Sequence, residues 1–369
     1  MICDVLLAGT GLFAARIAFD LAATTKEPLA IVIAGRNAAR RDWLTSAANA
    51  RARIFGSPAR FAGEDVDLLA PGAADRLVET TAPRVIVQAA SAQASAVIAR
   101  SGDAWSRLVA EGGLSATALT QSQITMAMAR ANTRAGSRAA LINCAFPDVV
   151  NAMVAAQGHA ILSGMGNVGI LSSVFAGALD LDPARLKVLA HYQTLAPFRR
   201  APGDRAGARA PRVWIDGREI EDVFARFAGV KLTPEPVIDI SGATGVPLIQ
   251  ALCAGAPWRG HLPGPEGLPG GYPVIVSEAR AALDLPNGLT RGEAIAWNAA
   301  FEASGGLIVE ADGAVRFCGR LRELLDARAP DLAAGFPISD LDAATARMNA
   351  LRAAMMNETD PGPRSFMRP

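Results

Sequence analysis

Near the start of the chain, Gly9-Thr10-Gly11-Leu12-Phe13-Ala14 has the spacing of a phosphate-binding turn. Its chemistry belongs to the backbone. The first glycine permits a tight turn, the second lets main chain approach a pyrophosphate, and Ala14 keeps the next helix close to the preceding strand. A helix starting at Leu12 and Phe13 offers free N–H groups and a positive dipole end to phosphates. Glycines also serve packing, and the chain has 35 of them. Here Cys3–Ala8 reads as a buried strand and 15–23 as an apolar helix, and that order makes the pattern a dinucleotide site. The end of the next apolar run chooses the cofactor. It reads Gly35-Arg36-Asn37, with Arg40 and Arg41 following. An NAD site would place a carboxylate there for the ribose 2′-hydroxyl. A guanidinium suits a 2′-phosphate instead, so the expected cofactor is NADP. Asn37 either bonds that phosphate or caps the following helix.

Candidates for proton and covalent chemistry lie further on. His191 and Tyr192 form the best donor pair for a reaction needing orientation and one proton. A strand over 186–193 would point them to opposite faces, so at most one faces a cleft. Lys187 shares the parity of His191 and is a candidate for a substrate carboxylate, or reaches solvent. Cys144 ends a predicted strand, where a thiolate would attack an acyl group; unpaired cysteines are otherwise inert core residues. Asp148 precedes a helix, which makes it a cap or a group beside the reacting ring. Tyr272, in a Gly/Pro-rich loop over 261–273, is a substrate candidate or an aromatic that packs the loop down.

The elements that must position these residues alternate. Strands are expected over Cys3–Ala8, Pro28–Ala34, Ala59–Ala62, Val85–Ala90 and Ala139–Cys144, with helices between them. That alternation predicts an α/β fold with a doubly wound parallel sheet, binding ligands at the carboxyl ends of its strands. Ala90, Ser91, Gln93, Asn143, Cys144 and Asp148 then fall on the ligand-facing edge, Ala90 and Ser91 towards the cofactor and Gln93 towards substrate. Residues 1–150 read as the nucleotide-binding domain and 151–290 as a mixed-sheet substrate or dimerisation domain. The remainder, 291–369, reads as a hairpin and a helix returning to the core. Asp216-Gly217 and Asp312-Gly313 are hairpin signals. The long loop over 261–273 reads as a lid or substrate loop, and the arginine-rich stretch from Arg199 to Arg212 as solvated or as attracting an acidic ligand.

Bulk properties narrow the classes. A net charge of +1 argues against nucleic acid as the main partner. No apolar run is long enough to span a membrane, and no leader is evident. Four scattered cysteines and three histidines make neither a disulfide framework nor a metal site, which suits a reducing cytoplasm. A homodimer is the default expectation, through the apolar side of a C-terminal helix over 340–357 and the second-domain sheet.

With Gly9-x-Gly11-x-x-Ala14 and Ala34-Gly35-Arg36-Asn37, the chain resembles the saccharopine dehydrogenase-like NADP-binding oxidoreductases. The likeness is carried by its N-terminal part. The resemblance implies hydride transfer between a nicotinamide and a carbon–nitrogen bond, so an imine or carbonyl of an amino-acid-like substrate is expected. Two other readings stay open: a cysteine-dependent acyl or semialdehyde reductase through Cys144, and a non-catalytic NADP-binding sensor or scaffold.

Overall fold

A computed structural model of the chain describes residues 2–93, 102–233 and 238–358. Six strands, β1 (Val5–Ala8), β2 (Leu29–Ala34), β3 (Ala59–Glu64), β4 (Val85–Gln88), β5 (Ala140–Asn143) and β6 (Ser163–Gly164), form one sheet in the order β3-β2-β1-β4-β5-β6. Every neighbouring pair is parallel. This is the expected doubly wound α/β sheet. Its sixth strand is only two residues long, too short to be read as a strand in the sequence.

The sheet is covered on both faces, which is why its central strands are apolar throughout instead of alternating. Val5, Leu7, Ile31 and Ile33 join the core formed with α1 (Leu12–Thr24) and α2 (Ala38–Ile54). Leu6, Ala8, Val32 and Ile86 join the opposite core, with α3 (Ala73–Thr81), α4 (Ala104–Gly112) and α5 (Ala118–Arg134). The strand order reverses between β1 and β4, and this crevice is where such sheets take ligands.

After β5 come α6 (Val149–Ala156) and α7 (Val168–Leu179), then two antiparallel sheets. One is β7 (Leu186–Leu189), β8 (Arg212–Ile215) and β9 (Arg218–Glu219); the other is β10 (Trp258–Pro263), β11 (Gly271–Ser277) and β12 (Arg280–Leu283). A separate core lies under the first. There the Phe175 ring stacks on Phe227 at 4.0 Å and meets Phe198 edge-on at 5.2 Å. Arg205 is buried beside it and donates to the carbonyls of Arg200, Phe227 and Val230. This arginine of the basic loop is therefore structural: it bonds the carbonyls of Arg200 and of the residues after the short helix Val223–Arg226, where the sequence suggested a solvated or ligand-attracting charge.

Both Asp-Gly signals form hairpins: Asp216-Gly217 between β8 and β9, and Asp312-Gly313 between β13 (Leu307–Val309) and β14 (Ala314–Phe317). The latter pair adds β15 (Phe336–Pro337). The C-terminal helix runs Leu341–Asn357 and buries Leu341, Ala344, Met348 and Met355 against the α3–α5 face of the chain itself. Its apolar side, offered by the sequence as a dimer contact, is thus used within the chain.

Two expectations change. The strand over 186–193 stops at Leu189, because His191 accepts from the Gln193 N–H and opens a 3-10 helix over Tyr192–Arg199. The loop over 261–273 is the β10–β11 hairpin, tied by the Gly264 N–H to the Gly270 carbonyl at 2.6 Å and by the Glu266 N–H to the Leu162 carbonyl at 3.0 Å. It is a fixed element, not a lid.

Candidate functional site

The glycine turn has the shape the cofactor reading requires. Gly9 sits at φ +137°, and a Cβ there would lie 2.7 Å from the backbone of Ala89 and Ala90 at the end of β4. A side chain at this point would push the two central strands apart. At Gly11, by contrast, a Cβ would meet nothing within 4 Å, so the space before α1 is open. No side chain caps α1, and no acidic residue occupies its first turn. Its first N–H groups are thereby left for an anion. Leu12 is exposed at this mouth, and Phe13 packs against the core beneath.

The second-strand end is ordered by arginines. Thr10 presses its methyl against Gly35, where a Cβ would approach it to 2.9 Å. The Thr10 carbonyl accepts from Arg40 Nε at 2.8 Å. Arg41 Nη1 reaches the Gly35 carbonyl and Asp65. Asn37 caps α2, accepting from the Arg40 N–H at 3.0 Å. Arg36 is 71% exposed and meets Asp67 at 3.3 Å, a contact weak enough to yield to a phosphate. No carboxylate occupies 35–37; Asp65 and Asp67 follow β3 and are engaged by these arginines.

A second group gathers beyond β5. Asp148 precedes α6, yet its carboxylate makes no cap bond. Both of its oxygens accept from Asn167 Nδ2 at 2.8 Å. Asn167 is held at φ +44°, ψ −104° immediately before α7, a cost borne by a non-glycine residue. Burial, then the nearby Glu302 charge, pushes the Asp148 carboxyl up to about 7, against opposing pulls from His191 and the Asn167 amide. His191 is fully buried. Its Nδ1 accepts from the Gln193 N–H, which assigns the proton of the neutral ring to Nε2. That nitrogen lies 3.3 Å from Glu302 Oε1. The imidazole stacks on Phe301 at 5.2 Å and meets the Tyr192 ring at 4.3 Å. His191 Nε2 and both Glu302 oxygens are buried without an aligned hydrogen bond. Burial, then Glu302, raises the Tyr192 hydroxyl to about 12.

Glu302 escaped the sequence reading. It sits on the helix Arg291–Gly305, whose buried positions are Ala294, Asn298, Phe301, Glu302 and Gly305. The available signal was a carboxylate on an apolar stripe, four residues after a buried asparagine, among exposed charges.

A chain of buried amides runs behind the site. Gln88 Nε2 donates to Thr125 Oγ1, which donates to Asn143 Oδ1, each at 3.0 Å. Asn143 Nδ2 donates to Asn151 Oδ1 at 2.8 Å, and Asn151 Nδ2 to the Gly264 carbonyl at 3.1 Å. The chain therefore joins β4 and β5 to the β10–β11 hairpin.

Other candidates have different employment. Lys187 pairs with Asp284 at 2.9 Å and the Leu285 carbonyl. Tyr272 is buried and donates to the Pro269 carbonyl at 2.6 Å. Gln93 accepts from Trp105 Nε1, and the Ser91 hydroxyl lies 2.6 Å from the Gln93 carbonyl and 2.7 Å from Gln121 Oε1. Cys144 packs into the α1 side of the core, and burial pushes its thiol far up, the reverse of what a nucleophile needs. His261 accepts from the Val188 N–H and is lowered to about 4 by burial. Among the described residues no group of three His, Cys, Asp or Glu could hold a metal, and no helix is long and apolar enough to cross a membrane.

No protein-family model and no curated protein sequence matches the chain. Solved structures do. The lactate dehydrogenase of Eimeria maxima, crystallised with NADH and oxamate, is 12% identical with a TM-score of 0.51, covering 82% of this chain and 94% of that one. The malate dehydrogenase of Picrophilus torridus is 14% identical with a TM-score of 0.51, covering 82% and 95%. At this identity the likeness is one of fold. Covering 82% of the chain, it extends past the N-terminal sheet.

Proposed function

We propose that this protein is an NADP(H)-dependent oxidoreductase that interconverts a carbonyl or imine with its reduced form. The observation that carries the proposal is the pairing of two features: an uncapped, glycine-opened helix start, and a buried cluster in which His191 Nε2 and both Glu302 oxygens lack an aligned hydrogen bond beside Asp148. When bound, a nicotinamide would supply or accept the hydride. The chain would hold its pyrophosphate with the N–H groups from Gly11 to Phe13, and its 2′-phosphate with Arg36 and Arg40. His191 and Glu302 would hold the proton that accompanies hydride at the substrate oxygen or nitrogen. Beside them the buried Asp148 carboxyl, pushed up to about 7, would be poised near working pH to give and take a proton. The solved dehydrogenases of similar fold act on lactate and malate, which favours a 2-oxo or 2-hydroxy acid as the carbonyl substrate; the amino-acid-like imine remains within the same chemistry.

Two measurements test this. Calorimetry should give tighter binding of NADPH than NADH, with Arg36→Asp reversing the preference. NADPH oxidation should then be followed across 2-oxo acids and imines. Equal affinity for both nucleotides, untouched by Arg36→Asp, would overturn the cofactor assignment. Binding without oxidation of any substrate would favour the sensor reading.

A further inference from the structure

The outer face of α2 carries an apolar stripe that the chain leaves uncovered. Its inner residues Leu44, Ala48 and Ala52 are buried in the core. On the opposite side Trp43 is 70% exposed and Ile54 76% exposed, with Ala47 and Ala50 between them. The spacing of these four positions is four, three, four, the period that seams one helix to another. Phe55, 55% exposed, extends the stripe past the helix end. Together Trp43, Ile54 and Phe55 expose on the order of 400 Å². That is the size of a functional patch on a typical monomer and about half of what each partner gives to a standard interface.

We propose that a second copy of the chain docks here, through an antiparallel pairing of the two α2 helices about a two-fold axis. The stripe reads the same when reversed. Aligning Trp43 with the partner's Ile54 also aligns Ala47 with the partner's Ala50, so the large side chains lie at the ends and small ones at the centre, where the helices approach most closely. The charges obey the same symmetry. Asp42 and Arg53 are eleven residues apart, close to three whole turns, and so flank the same edge of the stripe. In an antiparallel pair like edges meet, which sets Asp42 against the partner's Arg53 and repeats that pair across the axis. Arg53 makes no ion pair among the described residues, and Asp42 is 67% exposed beside Arg41. Arg51, on the other edge, is stacked between Phe19 and Phe55. Each such feature is needed for an isologous contact, in which one surface must complement itself.

Sedimentation velocity of the full chain across the micromolar range tests the proposal. The wild type should be a dimer. Trp43→Ser with Ile54→Ser should raise the dissociation constant at least about a hundredfold, as loss of large apolar anchors does, while the melting temperature stays that of the wild-type monomer. Asp42→Arg alone should weaken the dimer about tenfold, and adding Arg53→Asp should restore it. A monomeric wild type, or a dimer indifferent to the Trp43 and Ile54 changes, would overturn the proposal. Failure of the double charge reversal to restore binding would overturn the antiparallel arrangement.

Discussion

Replacing Asp148 with asparagine should stabilise the ligand-free protein at alkaline pH. The carboxyl is held at about 7, against an ordinary value of 3.8, first by burial and then by Glu302. Because the folded value lies above the unfolded one, the folded state binds the proton more tightly. Stability from this group is therefore full below about pH 4 and falls as pH rises, levelling off above the folded value near 7. At 1.36 kcal/mol for each pH unit of separation, the loss is about 4 kcal/mol. Asparagine cannot ionise and removes that slope. It keeps one acceptor for the Asn167 amide and loses the other, which costs about 1 kcal/mol at any pH. The variant should thus be more stable than wild type by roughly 3 kcal/mol at pH 8 and about equal to it at pH 4.5, where ionisation of the unfolded carboxyl already costs wild type about 1 kcal/mol. Urea denaturation of both proteins at pH 4.5, 6 and 8 reads this directly, since titrating groups remote from Asp148 are shared and cancel in the difference. A difference that stays constant across that range would mean that Asp148 titrates as a solvated carboxyl, and the reasoning would fail.

Glu302→Gln and His191→Gln should each lower kcat by about 10²–10⁴ while leaving the NADPH dissociation constant unchanged; stopped-flow and calorimetry separate the two quantities. Glu302→Gln should also move the Asp148 titration towards acid, visible in the pH dependence of stability. Gly9→Ala, forced to φ +137° with its methyl 2.7 Å from the Ala89–Ala90 backbone, should abolish tight NADPH binding and cost about 2–3 kcal/mol in a denaturant titration. Cys144→Ala should keep full turnover, and the wild-type Cys144 thiol should resist iodoacetamide at pH 8, as mass mapping of the labelled site would reveal.

The N-terminal sheet and its glycine turn were legible because their signals are local. Gly9, Gly11 and Ala14 do their work within one turn of chain, and the apolar strands around them needed no partner to be recognised. Asp216-Gly217 and Asp312-Gly313 were readable for the same reason. The second cluster was not, because its members are joined by packing. Asp148 looked like a helix cap, and only the placement of Asn167 nineteen residues on shows where its oxygens point. His191 and Tyr192 were assigned opposite faces by strand parity, which ceased to apply once the histidine ring captured the Gln193 N–H. Glu302 lies more than a hundred residues from His191 in sequence, and no periodicity brings it to the imidazole. Lys187 failed differently: its partner Asp284 belongs to a segment whose approach no local pattern encodes.

The buried amides from Gln88 to Gly264 have a mechanical consequence. Enzymes of two lobes often open like a jaw, turning on a few residues where the chain leaves the nucleotide lobe. Here the stretch just after β5 is tied to the β10–β11 hairpin by Asn151, which Asn143 holds in turn. Pulling the hairpin away at this point would leave the buried Asn151 Nδ2 without its Gly264 acceptor, at roughly 1–3 kcal/mol. That cost would oppose hinging where the chain leaves the parallel sheet, so any ligand of the proposed site would be expected to enter by movements at the rim.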